Sequence, residues 1–134
     1  MTEKQHKEFF IKYSLEKARE TLKEIEVLLT NNLLNNAQSR LYYSIYYAVS
    51  ALAYMEGHKT SKHVPLMGWF NKEFIHERQV FNPELFELYK NAYENRRKAD
   101  YEFTYKAVRE KIEKDLIDAV AFIDAIENYI NSIQ

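Results

Sequence analysis

Residues 105–133 read YKAVREKIEKDLIDAVAFIDAIENYINSI. Apolar side chains fall at Tyr105, Val108, Ile112, Leu116, Ala119, Ile123, Ile126, Ile130 and Ile133, always three or four positions apart. This is the repeat of one face of an α-helix, held over about eight turns. A face that long must lie against other elements of the same kind.

The rest of the chain supplies them. Ile11, Leu15, Ala18, Leu22, Ile25 and Leu29 predict a helix over about 4–29, ended by Thr30, Asn31 and Asn32. Leu34, Ala37, Leu41, Ile45, Ala48, Leu52 and Met55 predict another over about 33–56, with Gly57 as its cap. Between Leu41 and Met55 no residue is charged, and Tyr42, Tyr43, Tyr46, Tyr47 and Tyr54 fill much of the remaining surface. A helix apolar nearly all round belongs at the centre of a bundle or in an oligomer interface. A shorter third helix begins near Val64, because Pro65 is tolerated only early in a helix, with Thr60 or Ser61 able to cap a preceding turn. Its inner face is Val64, Met67, Phe70 and Phe74, and 77–81 is a loop. Asn82-Pro83 starts a fourth helix over about 83–100.

The chain has 134 residues, 2 Gly and 2 Pro, which leaves little material for β-turns. The expected fold is all-α, one domain over 1–134, built as an up-and-down bundle of four long helices and one shorter one. A net charge of −1 gives no overall steering toward nucleic acid, so any anion site must be a local patch. There is no cysteine, hence no thiolate metal site, disulfide or Cys nucleophile. No run approaches a membrane span and no signal peptide is visible, so the expectation is a cytoplasmic protein with no membrane association.

The stretch Asn95-Arg96-Arg97-Lys98-Ala99-Asp100-Tyr101 interrupts this pattern. Leu85, Tyr89, Ala92 and Arg96 share one stripe, so Arg96 stands where an apolar residue would continue it, with Asp100 one turn on. Arg96, with Arg97 beside it, suits a phosphate; an internal Arg96–Asp100 ion pair ending the helix explains the same residues without a ligand. Arg40, early in the tyrosine-rich helix, can face the same cleft. The 11 Tyr and 8 Phe can stack on bases or simply build a core. The segment 57–72, with Lys59, Lys62, Lys72, His58 and His63 and no acid before residue 73, reads as a solvated loop as readily as a phosphate contact. Glu3-x-x-His6 and Glu73-x-x-His76 have the spacing of two-metal carboxylate bundles. Both lie near element ends, and chance in a Glu-rich chain accounts for them better, so neither metal nor cofactor is expected.

Three stretches in order resemble the HEPN family of helical domains. They are Ser39-Arg40-Leu41-Tyr42-Tyr43-Ser44-Ile45-Tyr46-Tyr47-Ala48; Gly57 to Phe74, with Lys62-His63 and Trp69-Phe70-Asn71-Lys72-Glu73-Phe74; and Arg96-Arg97-Lys98-Ala99-Asp100-Tyr101, similar to an Arg-x-x-Ala-Asp-Tyr signature. The resemblance implies a bundle that forms a homodimer, with the fourth-helix motif at a cleft between subunits. Many members are RNases in which an Arg is followed, after four to six residues, by a His. Here Arg96 matches, but Tyr101 stands after a four-residue gap and no His follows His76. Tyrosine titrates near about 10 and is a poor general base at neutral pH. The resemblance therefore implies first a module binding nucleotide or RNA phosphate through Arg40, Arg96, Arg97, Asp100 and Tyr101, as the toxin-side partner of a small nucleotidyltransferase antitoxin. The alternatives are a metal-independent RNase toxin using Arg96 and Tyr101, or a purely structural interaction domain. In some such pairs a tyrosine near the motif receives a nucleotidyl group, which makes Tyr101 and Tyr105 candidates by position.

Overall fold

The computed structural model describes residues 1–59 and 62–133. Among these residues the chain forms five α-helices and no strand: α1 (Glu3–Thr30), α2 (Leu34–Glu56), α3 (His63–Phe70), α4 (Pro83–Tyr101) and α5 (Arg109–Ile133). The expected cap at Thr60 or Ser61 lies outside the described residues. No described helix is long and apolar enough to cross a membrane.

Helix α2, uncharged from Leu41 to Met55, is the centre. It packs against α1, α4 and α5, and Leu41, Tyr42, Ile45, Ala48, Val49, Ala51 and Leu52 are all sealed from solvent. Its small residues let α1 lie close, with Ala18 and Ile25 equally buried opposite. The buried hydroxyl of Ser44 is satisfied by donating to the Leu41 carbonyl at 2.7 Å. Gly57 ends α2 in the left-handed conformation at φ 70°, where a Cβ would be strained. Asn82 caps α4 through the Glu84 N–H, 2.9 Å away, with Pro83 as the first helical residue.

One boundary and one inward face depart from the periodicity. α5 starts at Arg109, not near Tyr105, and Val108 is exposed. The Asn35 side chain holds the preceding connection open by donating to the Tyr105 carbonyl at 3.0 Å and accepting from the Ala107 N–H at 2.8 Å. Those backbone groups are satisfied without a helical turn. Arg109 then ties the start of α5 to the end of α1, donating to the Leu29 carbonyl and to Asn32. In α3, Val64 is 56% exposed rather than inward. The first turn presents His63 to α2 instead. Beyond Phe70 the helix widens into a π-helical stretch, Asn71–Glu77, closed by a bond from the Arg78 N–H to the Glu73 carbonyl. That turn buries both Phe74 and Ile75.

Candidate functional site

Helix α4 carries Tyr89, Ala92 and Arg96 onto the core as one buried stripe, and Arg96 is only 7% exposed. Its guanidinium lies in a box of tyrosines. The Cζ atom is 5.2 Å from the ring centre of Tyr42, 5.5 Å from Tyr43, 5.7 Å from Tyr93 and 6.0 Å from Tyr101. Such contacts favour a desolvated cation by about 0.5–2 kcal/mol each.

The expected partner, Asp100, is a weak one. Its carboxylate accepts a single contact from Nη1 at 3.5 Å, the outer limit of a hydrogen bond. Nε is buried without a partner, and Nη2 has no hydrogen bond among the described residues yet is not sealed from solvent. Burial pulls the Arg96 value down, and Tyr43 with Asp100 more than offsets it, so the group is held above its ordinary value. This cation is permanently charged, oriented by aromatic rings and short of anionic partners.

The other expected residues distribute unevenly. Arg40 lies 5.4 Å from the Tyr43 ring that Arg96 also faces, but its Nε is taken by Glu24 at 3.0 Å. Arg97 points outward and pairs with Glu94 at 3.8 Å. Tyr101 is 75% exposed, at the open side of the box. Tyr105 lies in the connection before α5 and, among the described residues, makes no ring contact with the cluster. Among the described residues no group of three or more metal-binding side chains converges. Glu73 is engaged with Arg78, and His76 is exposed.

One residue of the cluster escapes an argument from chain order. His63 sits against α2 with its ring 4.6 Å from that of Tyr46, 5.5 Å from Tyr42 and 6.0 Å from Tyr43. Its Nδ1 is 2.5 Å from the Tyr42 hydroxyl. If the proton is on Nδ1, the imidazole donates to the phenol oxygen and Nε2 is a free base; if it is on Nε2, Tyr42 donates to Nδ1. Nε2 has no hydrogen bond among the described residues. Burial raises the Tyr42 value strongly, so it stays a phenol. Arg96 of α4 and His63 of α3 thus share two tyrosine rings of α2. His63 stands 33 residues before Arg96 and is invisible to any search for a histidine after it. The signal present was the position of His63 at the start of a short helix that follows the tyrosine-rich α2.

Burial, and secondarily the Arg96 charge, holds His63 below the ordinary imidazole value. Below about pH 6.5 the unfolded chain therefore takes up a proton here that the native state resists. Stability should fall as pH drops from about 6.5 toward the folded-state value and level off below it. Thermal melts between about pH 7.5 and 5 should show a steeper loss for the parent than for His63→Gln. Equal slopes would mean that this imidazole is not held neutral.

A family model for the HEPN domain matches residues 11–129, a span that contains His63 and Arg96. The UPF0332 protein of Thermotoga maritima is 36% identical over 128 residues, covering 96% of each chain. Two proteins of Methanocaldococcus jannaschii, both named as candidate toxins, are 34% and 29% identical; the matches cover 88% and 89% of this chain and 80% and 87% of theirs. The chain belongs to the HEPN domain family.

Proposed function

We propose that this protein is the toxin-side module of a toxin–antitoxin pair and that the Arg96 box binds a phosphate of RNA or of a nucleotide. The observation that carries the proposal is a buried guanidinium whose one carboxylate contact is 3.5 Å long and whose Nε has no partner. A purely structural ion pair would engage the fork fully, since a buried charge left half-paired is costly. A phosphate oxygen at Nη2, which solvent reaches, would supply an acceptor that the fork lacks. Tyr43 and Tyr101, at the accessible rim, offer faces for a base. Candidate toxins among the relatives support the toxin-side role. Family resemblance supplies the remainder: a homodimer bringing two boxes to one cleft, and a nucleotidyltransferase as antitoxin. Tyr101, exposed beside the box, is then the better acceptor for nucleotidyl transfer, and the half-buried Tyr105 the poorer one. RNA cleavage is a second reading, favoured by the imidazole of His63 in the same cluster.

Titration of a fluorescent 2′-O-methyl oligoribonucleotide, which cannot be cleaved at its 2′ position, tests the site. Arg96→Ala should weaken binding by about 10- to 100-fold, the worth of one or two charge-assisted hydrogen bonds. Arg96→Met, which refills the volume without charge, should lose as much. Unchanged affinity in both variants would remove the phosphate from this box.

A further inference from the structure

We propose that His63, delivered from α3, is the general base of the Arg96 site, so that the site cleaves RNA by intramolecular transesterification. The inference rests on the phosphate-binding reading above; RNA cleavage is the reaction the family resemblance implies, and the new element is the assignment of its base to His63. The fourth helix has no histidine, and its tyrosine at the corresponding position is a poor base near neutral pH. The fold supplies an imidazole from another helix instead. His63 is held on one side by Tyr42 at 2.5 Å, packed on the Tyr46 ring at 4.6 Å, and leaves Nε2 unengaged among the described residues. Arg96 and His63 both border Tyr42 and Tyr43, and the guanidinium charge lowers the imidazole's value, so the two groups lie within electrostatic reach of each other. An oriented base beside an anion-binding fork is the minimum machinery for phosphodiester transfer to a neighbouring hydroxyl.

The step balances without a co-reactant. Nε2 takes the proton of the ribose 2′-hydroxyl, and the 2′-oxygen forms a bond to phosphorus. The bond from phosphorus to the 5′-oxygen breaks, and that oxygen takes a proton from water or from the imidazolium. The products are a 2′,3′-cyclic phosphate and a 5′-hydroxyl. Arg96 carries the charge that builds on the non-bridging oxygens. In the charged state Nδ1–H donates to the phenol oxygen of Tyr42, which fixes the ring while Nε2 works.

The test uses the whole chain with EDTA present. The probes are a mixed-sequence single-stranded RNA of about 20 nucleotides and its 2′-O-methyl counterpart. The parent should cleave the first to ends carrying 2′,3′-cyclic phosphate and bind the second. His63→Ala and His63→Gln should cleave at least 100-fold more slowly, within the range of about 10²–10⁴ of a positioned acid–base group, while binding the 2′-O-methyl strand as the parent does. Added imidazole should restore part of the rate to His63→Ala, which a merely structural role would not allow. The Gln variant keeps a hydrogen-bonding side chain beside Tyr42 and covers the case in which Ala does not fold. Binding without cleavage by the parent, or cleavage at parental rate in either folded variant, overturns the role of His63 and leaves phosphate binding intact. Failure of the parent to bind the 2′-O-methyl strand overturns both.

Discussion

Phe70→Ala should lower the stability of the fold by about 3–5 kcal/mol, as deletion of a fully buried phenyl ring does. Phe70 is the last residue of α3 and has no solvent exposure. Its ring centre is 5.7 Å from Phe122 of α5, 5.8 Å from Tyr89 of α4, 5.8 Å from Phe81 in the loop and 6.1 Å from Phe74 in the π-helical stretch. One side chain thus joins α3 to α4, to α5 and to the chain between them. Those neighbours belong to separate elements and cannot all collapse into the space it leaves, so the cavity term should be near the top of its range. A domain of this size is stable by only about 5–15 kcal/mol, so the loss is a large share. Urea unfolding should show a lower midpoint with an unchanged slope. A loss below about 1.5 kcal/mol would mean that α3 is not anchored there. The effect reaches function, since α3 is the element that delivers His63 to α2.

The parts of the fold that came through the sequence are those where burial alone chooses the residue. The apolar stripe from Ile112 to Ile130 dictates α5, the uncharged run from Leu41 to Met55 dictates a central α2, and Asn82-Pro83 and Gly57 mark ends by their backbone chemistry. Arg96 was legible for the same reason, as a charge standing on an apolar stripe. Periodicity misled at Tyr105 and Val108, where the side chain of Asn35, seventy residues away in the chain, satisfies the backbone that a helical turn would otherwise satisfy. It misled at Val64 because the first turn of α3 is oriented by His63 against the tyrosines, and a half-buried polar contact leaves no apolar period. His63 itself was legible as a residue and illegible as a neighbour of Arg96. Nothing local couples residue 63 to residue 96. They meet only because both lie on Tyr42 and Tyr43, and that adjacency is a property of how α3 and α4 pack on α2.

Tyr42 is where the core and the candidate site become the same structure, and Tyr42→Ala should therefore be costly in both. Its ring is sealed from solvent and borders those of Tyr43, Tyr46, His63, Tyr89 and Tyr93, while the Arg96 guanidinium sits 5.2 Å from its centre. Truncation should cost about 3–5 kcal/mol through the cavity. It also strips Arg96 of its nearest ring and leaves Nδ1 of His63 without a partner, so the loss should fall at the high end of that range. Tyr42→Phe isolates the polar part. It keeps the ring and the cation contact and removes only the hydroxyl, for an expected loss of about 1 kcal/mol. A double-mutant cycle of Tyr42→Phe with His63→Gln should be non-additive by about 0.5 kcal/mol or more, because the two changes delete one shared bond. If Tyr42→Ala cost less than about 1.5 kcal/mol, the tyrosine box would be a surface feature that tolerates rearrangement, and Arg96 would not be oriented by it. If the cycle were additive, the Tyr42–His63 contact would carry no energy, and the orientation of the imidazole would have to come from ring packing on Tyr46 alone.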